Sequence, residues 1–211
     1  MRYSGLEDLV KRGKAALAAG PVAMVFAEDE TELDTTLRHH MHLGFRSVVV
    51  FVWALWDCPP DLRDKVHRVD YDMSRDGAVQ EAVTAVAAAA PWLWMFYCYN
   101  AEYLFYPFCE SRTVGEMLAF HSEERRDAML TYVVDLYAGD LDRFPEAVSL
   151  DDAHIDKAGY YALAATIRTT TIIPRNGNSI FSVACAGATR SMSPKSGARS
   201  TGSPFSVPNR G

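Results

Sequence analysis

Long apolar runs are absent from the sequence, and its beginning has no continuous hydrophobic core. The apolar stretch Val48–Leu55 is far shorter than the roughly 20 residues that cross a bilayer. Charges are scattered through residues 1–20, which does not fit a secretory signal. The four cysteines form no CxxC pair and have no zinc-like spacing, so we interpret them as free thiols of a reducing compartment. These features predict a cytoplasmic protein without a transmembrane segment.

Several familiar catalytic motifs are also missing. The chain has no Gly-rich phosphate loop, no G-x-S-x-G nucleophile elbow and no Cys–His pairing signature. These absences argue against the P-loop, α/β-hydrolase and cysteine-protease types of chemistry. Any catalytic site must therefore be built from other residues.

Acidic residues are absent from the last part of the chain, 165–211, which carries six basic residues. Subtracting these six from the 21 basic residues leaves 15 against 27 acidic ones, a net charge of −12 for the rest. An acidic body offers no electrostatic footprint for nucleic acid, so we expect no nucleic-acid partner. A basic-tailed binder of nucleic acid or other anions is the weaker interpretation that this tail leaves open.

Strand-like and helix-like segments alternate through the rest of the chain. This alternation predicts an α/β fold: a mostly parallel sheet with helices on both faces. A helical lead occupies residues 1–20. The predicted strands are Val22–Phe26, Arg46–Trp53, His67–Tyr71, Trp92–Tyr97 and Leu130–Leu136, and the later helices are Glu32–Leu43, Gly77–Ala90 and Thr113–Glu123.

The most aromatic stretch, Trp92–Pro107, holds the first candidate site. Sites in open α/β sheets lie just outside the carboxyl ends of strands, which here means Tyr99, Asn100, Ala101 and Glu102. By the same argument, three other acids follow predicted strands. These are Glu30 in the turn after the first strand, Asp57 after the second, and Asp135 near the end of the strand predicted at 130–136.

The segment YNAEYLFYP at 99–107 resembles the D-x-D-E-[FY]-L-[VF]-Y-P segment of family-2-like glycosyltransferases. The surrounding order agrees: VAMVF, an acidic EDE turn, ELDTTLRHHMHLGF and SVVVFVW precede it. Downstream, CESRTVGEMLAFHSEERRDAMLTYVVDLYAGD and DDAHIDKAGYYALA are also similar to the family. The resemblance covers about Pro21 to Ala164. It implies a GT-A fold, a nucleotide-sugar donor and a glycan or polysaccharide acceptor.

The resemblance also implies a metal site, and here the chain departs from the family. The two Asp of the family's D-x-D hold Mg²⁺ or Mn²⁺ against the donor diphosphate. Tyr99 and Ala101 occupy those two positions, and only Asn100 and Glu102 remain. Glu102 then contacts a donor or metal, or it braces the turn. The protein is accordingly a transferase, or a non-catalytic nucleotide-sugar or glycan-binding protein that has lost its metal site.

The remaining candidates have simpler alternatives. The resemblance puts Glu30 and Asp57 near the donor, and for Glu30 the alternative is a solvated, helix-starting acid run. We predict Asp135 as the catalytic base or an acceptor contact, against a plain turn acid. His39 and His42 could share a helix face, and Asp152 and His154 form a loose polar cluster, but both patterns are common without metal.

The tail at 165–211 has no periodicity and reads as disordered. Shifting the reading frame by one base permits a string containing KERQLDFFGGLRWR, which resembles the continuation expected in the family. We therefore hypothesise that residues from about 165 onward arise from a frameshift. The domain organisation is then a lead at 1–20, a GT-A-like domain at 21–164 that is incomplete at its C-terminus, and a tail without selected structure.

Overall fold

The computed structural model describes residues 1–18, 20–53, 55–130 and 133–155, and the backbone of a strand at 180–182. The predicted disordered tail at 165–211 lies outside the described residues, apart from that one strand.

A seven-stranded sheet forms the centre of the fold, and all six neighbouring pairs of strands run parallel. Its strands are β1 (Arg2–Tyr3), β2 (Val22–Phe26), β3 (Ser47–Val52), β4 (His67–Asp70), β5 (Met95–Tyr99), β6 (Ala128–Leu130) and β9 (Ile180–Ser182). A separate antiparallel pair joins β7 (Leu136–Ala138) to β8 (Ala153–Ile155). The strand order in the sheet is β1-β4-β3-β2-β5-β9-β6.

Helices cover both faces of this sheet, as the sequence predicts. They are α1 (Leu6–Arg12), α2 (Leu33–His42), α3 (Ala78–Ala89) and α4 (Val114–Glu123), and a short 3-10 turn at Gly13–Ala15 follows α1. Side chains of α2 and α4 pack with Val25 and Val50 on one face. Side chains of α1 and α3 pack with Met24 and Phe51 on the other. The α/β class with a mostly parallel sheet is thereby confirmed.

Apart from Ser47, the central strands β2 and β3 are apolar throughout because both of their faces are covered. Every residue of β2 and β3 is buried. Buried parallel strands have this composition, since helices on each face leave no solvent side for polar residues. Burial of these branched and aromatic side chains supplies the main stabilisation of the sheet, at about 25 cal/mol per Å² of apolar area.

The start of the chain differs from the predicted helical lead. Arg2 and Tyr3 form an edge strand of the main sheet, in register with Arg68 and Val69 of β4. The helical part is only α1 and the short turn after it, and Leu9 is completely buried. A two-residue strand is too short to show an alternating pattern, so its pairing with β4 cannot be read from local sequence.

Two other boundaries differ from the prediction. The aromatic strand begins at Met95 rather than Trp92, because Trp92 has a positive φ of 72° and is exposed. The single strand predicted at 130–136 is wrong: β6 ends at Leu130, residues 133–135 have no regular structure, and β7 begins at Leu136. Strand propensity alone does not say which partner a segment pairs with, and here the two ends pair with different partners. Among the described residues, no helix is long and apolar enough to span a membrane.

Candidate functional site

The strand order reverses at one point of the sheet. From β2 the chain adds β3 and then β4 on one side, whereas β5 lies on the other side of β2. Ligands of open α/β folds bind outside the carboxyl ends of the strands at such a reversal. Phe26 and Tyr99 are paired at the ends of β2 and β5. The fold thus brings Glu28–Glu30 and Tyr99–Glu102 to one edge, as the sequence predicts.

Asn100 ties the two loops together. Its side-chain oxygen accepts a hydrogen bond from the Glu28 backbone N–H at 3.0 Å. Its side-chain nitrogen donates to Asp29 Oδ1 at 2.7 Å and to the Thr31 carbonyl at 2.9 Å. Its backbone N–H also donates to the Phe26 carbonyl at 3.2 Å. We call this set of bonds the Asn100 clasp.

Asp29 shapes the loop that Asn100 holds. Its Oδ1 accepts from the Thr31 backbone N–H at 2.9 Å, which is an Asx turn, as well as from Asn100. The chain then passes through Glu32, with a φ of 49°, into α2. The carboxylate of Asp29 therefore has a structural role at the start of this helix.

Ala101 is joined to the same helix. Its backbone has a φ of 60°, and its N–H donates to Thr36 Oγ1 at 2.9 Å. Thr36 is completely buried, and its hydroxyl donates in turn to the Glu32 carbonyl at 2.7 Å. This chain of bonds satisfies the polar groups of the turn without solvent.

Glu102 makes the bracing contact that the sequence allows. Its Oε2 accepts from the Tyr99 backbone N–H at 2.7 Å, which closes the turn at the end of β5. Beside it, Tyr99 is half-buried, and burial together with the charges of Glu28 and Glu102 raises the pKa of its phenol. Tyr99 thus carries a neutral hydroxyl, on a side chain that packs against the cluster of α1 and α3.

The four residues at the D-x-D position do not fit a divalent metal. The Asn100 side chain is only 4% exposed and its amide is engaged in the clasp. Tyr99 and Ala101 supply no carboxylate, and hard cations take several oxygen ligands at about 2.0–2.6 Å. In the described part of the chain, no three His, Cys, Asp or Glu side chains are grouped so that they could hold a metal ion.

The other predicted acids lie in different surroundings. Glu30 is exposed in the turn before α2, close in sequence to the clasp. Asp57 is exposed 3.5 Å from Arg63, and both line a cavity of about 350 Å³ together with Arg2 and Arg68. Asp135 is exposed and lies just before β7, a strand of the antiparallel pair outside the main sheet. Partial desolvation raises the pKa of its carboxyl. Asp135 therefore does not end a strand of the main sheet.

Two of the three histidines of α2 serve the packing of the helix. His40 is completely buried, and its Nδ1 donates to the Thr36 carbonyl at 2.8 Å. Its Nε2 faces the Cys98 thiol at 3.9 Å, and burial lowers the pKa of His40 to about 3. His39 donates from Nε2 to the Leu104 carbonyl at 2.8 Å, whereas His42 is exposed.

Two contacts of this region were not foreseen from the sequence, which indicates Thr31 only as a possible cap of the second helix. Thr31 and Thr36 complete the hydrogen bonds of the clasp and of the Ala101 turn. Threonines at the start of a helix are common caps, so their presence gives no signal for a partner 69 or 65 residues away. Only the order of the strands brings them to the end of β5.

Comparisons of the chain with models of protein families, with curated proteins and with solved structures find no match.

Proposed function

We propose that the protein is a GT-A-like, family-2-like glycosyltransferase that binds a nucleotide-sugar at the carboxyl ends of β2 and β5. The observation that carries the proposal is the meeting of the acidic turn at 28–30 with the segment at 99–107 at the point where the strand order reverses. The segment at 99–107 is also the one whose sequence resembles the donor-binding segment of that family. A glycan or polysaccharide is the corresponding acceptor.

The residues of this edge supply hydrogen bonds and shape rather than a metal cage. In this proposal the neutral Tyr99 hydroxyl donates to a ligand oxygen, and the exposed Glu30 accepts from a sugar or ribose hydroxyl. Asn100, Asp29 and Thr36 position the two loops. Asp135 stays a prediction as the base that takes the proton of the acceptor hydroxyl.

One observation favours the second candidate, a binding protein without transferase activity. The D-x-D carboxylates are replaced by Tyr99 and Ala101, and the neighbouring amide is buried in the clasp. A protein that keeps the nucleotide-sugar fold without this catalytic feature would bind a nucleotide-sugar or glycan and leave it intact.

Calorimetric titration of the full chain with UDP- and GDP-sugars, combined with an assay for released nucleotide, separates the candidates. Binding with release to an added glycan supports the transferase, and binding without release supports the non-catalytic protein. Absence of binding to every nucleotide-sugar and glycan contradicts both.

Two variants locate the binding. We expect Tyr99→Phe to weaken a nucleotide-sugar by up to about tenfold, the equivalent of 1.4 kcal/mol for one lost hydrogen bond. The control is Glu123→Gln at the end of α4, which we expect to leave affinity unchanged. Equal affinities for wild type and Tyr99→Phe would place the ligand elsewhere.

A further inference from the structure

We propose that the edge held by the Asn100 clasp binds no divalent cation, so that ligand binding here is independent of Mg²⁺ and Mn²⁺. The identity of the ligand rests on the proposed function, whereas the misfit between these residues and a cation does not. The proposal follows from three features of the loops at the ends of β2 and β5.

The first feature is that Asn100 already cross-links the two loops. Its side-chain amide makes one acceptor and two donor contacts, to Glu28, Asp29 and Thr31. Both hydrogens of its amide nitrogen are used, and the group is buried, so it cannot turn towards a cation without breaking the clasp.

The second feature is the chemistry of the two substituted positions. Ala101 ends in a methyl group and is 4% exposed, with its backbone N–H held by Thr36. Tyr99 is a half-buried phenol between acidic neighbours, which is neutral and therefore a poor ligand for a hard cation. Neither position supplies an anionic oxygen.

The third feature is that two acids of this edge already hold the loops. Asp29 Oδ1 accepts two hydrogen bonds within the loops, and Glu102 Oε2 holds the Tyr99 backbone N–H. A cation bound to these same oxygens would compete with the hydrogen bonds that fix the turn. We therefore expect a bound ligand to be held by N–H and O–H donors such as the Tyr99 hydroxyl.

Electron paramagnetic resonance of Mn²⁺ in the presence of the full chain tests this directly, because bound Mn²⁺ loses its sharp solution signal. We expect wild type to leave the signal of millimolar Mn²⁺ unchanged. The double variant Tyr99→Asp/Ala101→Asp restores both carboxylates, and we expect it to reduce the free signal if thermal melting shows that it is folded. Mn²⁺ binding by wild type that is abolished by Glu102→Gln would overturn the proposal.

A second acidic group serves as the control for binding elsewhere. His154 lies in β8, and Asp151 and Asp152 lie in the turn just before it. Any wild-type binding that Asp152→Asn removes and Glu102→Gln leaves intact therefore belongs to that turn and supports the proposal. Nucleotide-sugar affinity measured in EDTA and in Mn²⁺ gives a second readout. Equal affinities support the proposal, and affinity at least tenfold tighter in Mn²⁺ contradicts it. If no nucleotide-sugar binds, the proposed function fails. The Mn²⁺ signal still decides whether the edge held by the clasp binds a cation.

Discussion

The side-chain nitrogen of Asn100 lies 2.7 Å from Asp29 Oδ1, joining two loops that are 71 residues apart in the chain. We expect Asn100→Ala to lower the free energy of unfolding by about 1–3 kcal/mol, because removal of the amide leaves its partners unpaired. Urea denaturation followed by circular dichroism measures the change. An unaltered midpoint would show that the clasp adds nothing to stability.

The variant Asn100→Asp tests the charge of the same contact. An introduced carboxyl would face the Asp29 carboxylate, so its pKa should rise in the folded state. A folded pKa above the unfolded one means that stability is greatest when the group is protonated and falls as the pH rises above about 4. The urea midpoint of the variant is measured beside that of wild type between pH 4 and 7. The difference between the two midpoints should grow as the pH rises. A constant difference would contradict the short contact.

Thr36 offers a nearly isosteric test of the link between α2 and the turn of β5. The Thr36→Val substitution keeps the volume but removes the acceptor of the Ala101 N–H, which then stays buried and unsatisfied. We expect a loss of about 1–3 kcal/mol in the free energy of unfolding. The matched control is Thr36→Ser, which retains the hydroxyl and should lose less. Equal losses in the two variants would assign the effect to packing instead.

Local sequence patterns predicted the central strands well because those strands report on burial. The apolar residues of β2 and β3 reflect coverage of the sheet on both faces, which is visible in the local sequence. The pairing of a strand with a distant segment is not visible there. The two-residue strand β1 and the division of the segment at 130–136 between β6 and β7 depend on partners far along the chain.

The same distinction applies to the candidate site. The rule that sites follow parallel strands placed Glu30, Asn100 and Glu102 at one edge of the sheet. The burial and the final position of each side chain depend on three-dimensional contacts that the local sequence does not show. Asn100 is buried by a loop more than 70 residues earlier in the chain, and Asp135 lost its place at the sheet edge when its predicted strand divided.

His40 predicts a dependence of stability on pH. Burial lowers its folded pKa to about 3, below the ordinary value of 6.5, so the unfolded chain takes up a proton first as the pH falls. Its contribution to stability is therefore complete above about pH 6.5 and is lost progressively below that value, as linkage requires. We expect the urea midpoint to fall between pH 7 and pH 5.

The variant His40→Asn isolates this residue. Burial also lowers the pKa of His39 and of His67, so all three histidines contribute with the same sign. The Asn amide can still donate to the Thr36 carbonyl but does not titrate. The variant should therefore show a shallower decline between pH 7 and pH 5, and an unchanged slope would assign the decline to the other two histidines.

The frameshift hypothesis makes a prediction that requires no protein. Resequencing of the gene across codon 165 should reveal a missing or an added base. An intact reading frame would sink the hypothesis. If the base change is found, the restored chain should carry the KERQLDFFGGLRWR segment, and it should melt more cooperatively than the chain described here because more of its apolar sheet surface is covered.

Phe108, directly after the aromatic stretch Trp92–Pro107, provides a test of backbone strain at the surface. It has a φ of 67° and is 73% exposed, so it occupies the left-handed region with little packing in return. Left-handed backbone costs a residue with a side chain about 1–2 kcal/mol, which glycine avoids. We expect Phe108→Gly to raise the free energy of unfolding by up to about 1 kcal/mol, after the greater freedom of glycine in the unfolded chain is subtracted.

The same substitution at Phe120, also exposed but within α4, should lower the free energy of unfolding by about 1 kcal/mol. Thermal and urea unfolding of both variants measure the two changes, and a loss of stability at both positions would show that Phe108 is held by packing rather than strained.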